Sequence, residues 1–279
     1  MSETKKELPA IVRGVLAVKN KVYLTPNYIR ITLTGDDVPL FAETTPGINN
    51  KIFIPPAGVN EIHFPDFNYS TGEWSHAPEH LKPVIRTYTH RAIDVEKKEM
   101  TIDFVAHGET GPASAWAIHA KPGDILGILM KAKESILYPK ADWYLLAADA
   151  TGIPVIAAIL ETLPATATGV AYIEIPTKED EQELKTNADI QINWIYNAHP
   201  GEKTLLADAV RTVKIPQQHN TTRFGYAAAE FSTVKDIRQF LRKEQHWDQS
   251  ELYAYSYWKL GASEDGSVRA RREEHREEK

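Results

Sequence analysis

The sequence predicts two domains of different class, an antiparallel β-barrel followed by an α/β unit built on a mostly parallel sheet. Three observations lead there. The 279 residues exceed one ordinary core and suit two. The first half alternates apolar and polar residues in short runs separated by turn clusters. The second half switches to apolar runs that alternate with helical stretches, the rhythm of a sheet covered on both faces. The change falls around Tyr138-Pro139-Lys140-Ala141, dividing the chain into residues 1–138 and 139–279.

In chain order, Ile29, Ile31 and Leu33 alternate with Arg30, Thr32 and Thr34, the period of a half-buried strand. Pro26, Asn27 and Gly35 bracket it with turn signals. Further strands are expected at Lys51–Ile54, Val84–His90, Met100–Ala106 and Ile125–Met130. The clusters Thr44-Thr45-Pro46-Gly47 and Lys121-Pro122-Gly123-Asp124 supply turns. Residues 55–83, rich in Pro, His, Asn and aromatics, read as an excursion on the barrel rim. One helix is expected from Gly111-Pro112-Ala113-Ser114 to Ala120, with proline where its missing N–H costs nothing. In the second half, strands are expected at Trp143–Ala148, Gly169–Ile175, Ile190–Tyr196, Arg223–Ala229 and Leu252–Trp258. Helices are expected from Thr151-Gly152-Ile153-Pro154 to Thr162, over Leu205–Val213 and over Thr233–Lys243, the last with a Thr233/Asp236 capping box. The stretch Glu264–Lys279 mixes both charges and reads as a solvated helix or a frayed end.

Composition removes several chemistries. The chain has no cysteine, which excludes disulfides, thiolate catalysis and Cys-ligated metal clusters, so redox work would fall to an organic cofactor. A net charge of −6 argues against a general nucleic-acid binder. No apolar run reaches the length that spans a bilayer, and Met1–Ala10 is too polar for a secretory signal. A cytoplasmic monomer is the expectation. His76 and His80 are separated by a segment containing proline and lack helical zinc-protease spacing, so no metal site is expected there.

Two constellations could carry chemistry. In Arg86-Thr87-Tyr88-Thr89, followed by His90-Arg91, a strand would place Arg86, Tyr88 and His90 on one face and Thr87, Thr89 and Arg91 on the other. Arginine offers a two-oxygen fork for phosphate, tyrosine a flat ring with a hydroxyl, and threonine a hydroxyl for ring or sugar. The same residues also fit an ordinary exposed strand. The second constellation is His107-Gly108-Glu109-Thr110-Gly111-Pro112-Ala113-Ser114-Ala115-Trp116-Ala117. Here a strand ends, a loop turns on glycines, and a helix opens with small residues and free N–H groups suited to a diphosphate. An ordinary strand-to-helix turn anchored by Trp116 is the alternative.

Together, in this order, the two segments resemble the siderophore-interacting protein family of ferredoxin-reductase-like flavoproteins. The resemblance continues through residues 142–154, through Ile159-Leu160-Glu161-Thr162-Leu163-Pro164, and into Tyr257-Trp258-Lys259-Leu260-Gly261. It implies a six-stranded antiparallel flavin-binding β-barrel followed by an α/β domain of ferredoxin-reductase type. It implies FAD held by Arg86, Thr87, Tyr88 and Thr89, with Asp103, Val105 and His107 beside the ring and Ala113 and Ser114 at the diphosphate. Thr151 would sit at the flavin-facing mouth of the second domain. The implied reaction is reduction of a ferric siderophore, whose hard anionic oxygens hold Fe(III) well and Fe(II) poorly. A flavin can take two electrons as hydride and pass them on singly.

By motif position, Lys51, Lys259 and either Lys131 or Lys133 are the implied cations for the substrate. The family often carries Gly-Pro-Arg-Gly where this chain has Met130-Lys131-Ala132-Lys133, and Ala-Gly-Glu where it has Ala228-Ala229-Glu230. A Gly-x-Gly-x-x-Gly fingerprint is lacking, with Gly152 the lone glycine at that turn. The electron donor therefore stays open between NADPH, NADH and a reduced ferredoxin. So do a general flavin reductase and a non-catalytic siderophore-binding flavoprotein.

Overall fold

The computed structural model describes residues 11–68, 71–131, 133–216 and 221–262, with 266 and 269. Met1–Ala10 and most of Glu264–Lys279, on which two of the expectations above fall, lie outside the described residues. The chain forms two compact units, one of Met1–Leu24 with Tyr28–Ile136, the other of Thr25–Asn27 with Leu137–Lys279.

The first unit contains β1 (Ile11–Thr25), β2 (Tyr28–Thr34), β3 (Asn49–Ile54), β4 (Asp66–Asn68), β5 (Glu73–Ser75), β6 (Val84–Thr89), β7 (Ala92–Asp94), β8 (Glu99–Val105), α1 (Pro112–His119) and β9 (Ile125–Lys131). One sheet has seven strands, not the expected six, in the order β6-β3-β9-β1-β2-β8-β7. The alternation at Ile29, Ile31 and Leu33 becomes a row of cross-strand pairs with Phe104, Ile102 and Met100, all fully buried. Burial of each such side chain contributes about 2 kcal/mol. Tyr88 of β6, on one edge of the sheet, lies 4.5 Å from the ring of Phe104 of β8, next to the other edge. The sheet must therefore curl until its edges approach, enclosing the core that also takes in Leu16, Ile52, Leu126 and Ile128. Two strands of this sheet lie outside the expected segments: β7, a three-residue edge, and β1, fifteen residues long.

The 55–83 excursion carries the separate β4–β5 hairpin. It also covers part of the sheet, because a Cβ on Gly127 would stand 2.6 Å from Ile62 and 3.0 Å from Phe64.

The second unit contains β10 (Trp143–Asp149), α2 (Ile153–Thr162), β11 (Thr168–Ile175), β12 (Asp189–Tyr196), α3 (Leu205–Arg211), β13 (Arg223–Glu230), α4 (Phe231–Gln239) and β14 (Leu252–Trp258). Its five-stranded parallel sheet runs β12-β11-β10-β13-β14. The central β10 is buried at every residue, as a parallel strand covered on both faces must be. The expected Thr233/Asp236 box does not form. The helix opens at Phe231, and the Glu230 carboxylate caps it, accepting from Ser232 N at 2.5 Å and Thr233 N at 3.3 Å. Thr233 is then inside the first turn and buried. Among the described residues no helix is long and apolar enough to cross a membrane.

Candidate functional site

In the first unit the site grows from β6. Arg86 is half-buried and donates from Nη1 to the Ile85 carbonyl at 2.8 Å. No carboxylate pairs with it among the described residues. Arg30 is the contrast. Its Nε and Nη2 fork onto the two Asp103 oxygens at 2.7 Å each, on a carboxylate 1% exposed. Arg91 Nε adds a 3.9 Å approach to the same group. Asp103, expected to line a ring, is thus engaged by arginines. The fork of Arg86 remains available for a phosphate.

An aromatic relay joins the two segments singled out by sequence. Tyr88 packs on Phe104 at 4.5 Å, and Phe104 on Trp116 of α1 at 5.6 Å. Between β8 and α1 the chain turns through His107, which is exposed, while Val105 is half-buried. Ser114 ties this loop down: its Oγ accepts from His107 N at 3.1 Å and donates to the Gly108 carbonyl at 2.7 Å. A Cβ on Gly111 would meet the His107 ring at 2.6 Å, so glycine permits the loop to close. The first intrahelical bond runs from Ala115 N to the Gly111 carbonyl at 2.9 Å. The N–H groups of Ala113 and Ser114 precede it, with no side chain capping them. That start offers two donors and the positive end of the helix dipole.

Lys51 lies opposite Thr87 in the β3–β6 register and donates to Thr87 Oγ1 at 2.5 Å. Leu129 pairs with Lys51 on the other side, so Lys131, two residues on, shares that face of the sheet. Lys131 and Lys133 are exposed. Thr89 is buried, and His90 behind it fully so. The Thr44 hydroxyl donates to the Phe41 carbonyl at 2.6 Å, so His90 Nε2, 3.3 Å away, is assigned the proton. Burial holds this imidazole neutral, with its pKa lowered to about 4.

In the second unit, three carboxylates terminate or nearly terminate neighbouring parallel strands: Asp149, Glu174 and Glu230, all under 5% exposed. Asp149 Oδ1 takes Thr151 N at 2.9 Å and Thr151 Oγ1 at 2.5 Å, and Oδ2 takes the Trp258 indole N–H at 2.7 Å. Thr151 and the Trp258-Lys259 turn are brought together through this one group. Burial pushes the Asp149 carboxyl upward, against the pull of these donors.

Burial, with the charge of Asp149 nearby, also raises Glu174 to about 7. Its unfolded value is 4.5, so between 4.5 and about 7 the folded chain keeps a proton that the unfolded chain has lost. Stability therefore falls as pH rises through that window. Glu174→Gln, which can still accept from Leu206 N, should lessen the fall, leaving the part due to Asp149, and be on the order of 2 kcal/mol more stable than wild type at pH 8. Thermal melts of both proteins from pH 4.5 to 8 would check it, and parallel pH curves would refute it.

Sequence reasoning missed Arg30, Phe104, Asp149, Glu174 and Glu230 as parts of these arrangements. A signal existed for the last three: a single acidic residue at the carboxyl end of an apolar run, as in Leu145-Leu146-Ala147-Ala148-Asp149 and Ala227-Ala228-Ala229-Glu230.

Residues 17–132 match the siderophore-interacting FAD-binding domain, and residues 141–261 match the siderophore-interacting protein family. The chain is 32% identical over 259 residues to the ferric vibriobactin reductase ViuB of Vibrio cholerae, covering 93% of this chain and 94% of that one. A solved siderophore utilization protein from T. fusca superposes with a TM-score of 0.79 at 30% identity, covering 91% of this chain and 95% of that one. The siderophore-interacting protein SipS from Aeromonas hydrophila superposes with 0.78 at 28% identity, covering 94% and 98%. With matches that run through both units and a relative 32% identical over nearly the whole of both chains, this chain belongs to the siderophore-interacting protein family.

Proposed function

We propose that the chain is an FAD-dependent reductase of ferric siderophores, working in the cytoplasm. The observation that carries the reading is Arg86, a half-buried guanidinium with no acidic partner among the described residues, set on the strand that the Tyr88–Phe104–Trp116 relay connects to the open start of α1. This donor set fits a dinucleotide. Arg86 would fork onto one phosphate, and the N–H groups of Ala113 and Ser114 would take the other. Tyr88, backed by Phe104, would give the ring system a flat neighbour, with the Thr87 and Thr89 hydroxyls on the other face of the strand at its edge. Val105, His107 and Asp103 would hold the adjoining strand end, and Thr151 the corresponding strand end of the second unit. Bound FAD would supply conversion of a two-electron donor into single-electron steps.

The protein's remaining task is electrostatic. Fe(III) held by catecholate oxygens makes an anionic complex, and lysines raise its local concentration although the chain is acidic as a whole. We assign that role to Lys51 and Lys259, with Lys131 and Lys133 as further cations. Gain of one electron leaves Fe(II) on ligands too hard to retain it. No side chain has to act as nucleophile or general base. NADPH, NADH or a reduced ferredoxin supplies the electrons.

The test is anaerobic turnover with each donor in turn, with a ferrous chelator reporting iron release from iron(III) tris-catecholate and tris-hydroxamate. At least one donor should drive chelator-dependent colour well above free flavin. No rate above that control with any donor would overturn the reading. Lys51→Ala should weaken the ferric complex about tenfold and leave flavin content unchanged. An unaltered titration curve would remove Lys51 from the site.

A further inference from the structure

Two buried carboxylates grip the chain on either side of Lys259. Asp149 holds the residue before it, through the Trp258 indole N–H at 2.7 Å. Glu230 holds the residue after it, accepting from Leu260 N on Oε1 at 3.1 Å while Oε2 caps α4. Gly201 closes the arrangement: a Cβ there would stand 3.1 Å from Leu260 Cβ and 3.2 Å from both Glu230 Cγ and Trp258 Cη2. The turn is therefore held from three directions.

Lys259 itself is treated differently. Its Nζ lies 4.7 Å from the centre of the Phe231 ring. No carboxylate pairs with it among the described residues, although Asp149 and Glu230 are committed to the residues on both sides of it. Here the carboxylate oxygens are taken by N–H and O–H donors: Trp258 and Thr151 on Asp149, and Leu260, Ser232 and Thr233 on Glu230. The cation rests on an aromatic face, which steadies it without neutralising it.

We infer that Asp149 and Glu230 are positioning residues that fix the turn carrying Lys259, so that its charge is preserved and aimed for an anionic ligand. The inference rests on the assignment of Lys259 to the ferric complex made above. It adds a reason for the buried acids at the ends of β10 and β13.

The clean variant is Trp258→Phe, which removes the indole N–H and keeps an aromatic ring. Glu230→Gln is the second, because an amide has one acceptor oxygen and cannot serve both Leu260 N and the α4 cap. Affinity for iron(III) tris-catecholate would be titrated by flavin absorbance at several salt concentrations, with circular dichroism confirming the fold. Lys259→Ala should weaken binding about tenfold and flatten the salt dependence, while Lys259→Arg retains both. Trp258→Phe should weaken binding several-fold with a reduced salt slope, and the Trp258→Phe/Lys259→Ala double variant should be no worse than Lys259→Ala alone. If Lys259→Ala binds like wild type, the substrate-site assignment fails. If Lys259→Ala is weak but Trp258→Phe is unchanged, or the two effects add, positioning fails and the assignment stands. Should Glu230→Gln not fold, the Trp258→Phe cycle decides alone.

Discussion

Arg86→Ala protein should purify folded and nearly colourless. Among the described residues the Arg86 side chain makes one bond, to the carbonyl of the preceding residue, and it pairs with no acid. Its removal should therefore cost the fold little, well under 1 kcal/mol for a side chain without a charged partner. A flavin phosphate would lose both arms of a charge-assisted fork, on the order of 3 kcal/mol, or about a hundredfold in affinity. Arg86→Lys keeps the charge and loses the fork, so an intermediate loss of about tenfold is expected. The comparison variant is Arg30→Ala. Arg30 forks onto the buried Asp103, and its removal leaves that carboxylate, among the described residues, with the longer Arg91 approach, so melting temperature should fall. Flavin content after gel filtration and a thermal melt separate the two outcomes. Full flavin occupancy in Arg86→Ala would show that the phosphate is held elsewhere.

The difference between those arginines also shows how far sequence alone could reach. Both stand on amphipathic strands, and pattern gives them the same standing. What distinguishes them is register: pairing of β2 with β8 sets Arg30 directly opposite Asp103, 73 residues away. Local periodicity carries no information about that partner. The same holds for Lys51 and Thr87, opposite each other on β3 and β6.

Elements with a clean period were legible. Ile29, Ile31 and Leu33 face the core because alternate side chains must. The long β1 was not, since its Lys19–Leu24 portion is largely exposed at consecutive positions and shows no alternation. β7 is too short to produce a period. The start of α4 was misplaced by two residues because its cap is the terminal acid of the preceding buried strand, not a hydroxyl. The first-unit candidate site takes the form of a motif because its residues lie in two contiguous segments. The carboxylate arrangement of the second unit does not, because it assembles from the ends of separate strands.

Gly152 tests the same distinction between a ligand's needs and the fold's. Its place at the first turn after β10 is where glycine can let a backbone approach a pyrophosphate. The geometry points to packing instead. A Cβ on Gly152 would lie 2.2 Å from the Ala228 carbonyl oxygen, 2.9 Å from Ala148 Cβ and 3.1 Å from Ala228 Cβ. Its φ of −90° is open to any residue, so the obstacle is the neighbouring strand and not the dihedral. Relief would require moving the Ala150–Gly152 turn off β13, against the Thr151 bonds to Asp149 and the seating of α2, most of which is buried. Gly152→Ala should therefore destabilise the second unit by about 3 kcal/mol or more, the overpacking penalty where backbone cannot yield. Gly123→Ala is the contrast, with φ +95° and nothing within 4 Å of the new carbon, so only the left-handed conformation opposes it, at about 1 kcal/mol. Thermal melts of both variants, with and without saturating NADPH, would resolve the point. A Gly152→Ala protein that melts like wild type but no longer responds to the nucleotide would assign this glycine to ligand approach and overturn the packing argument.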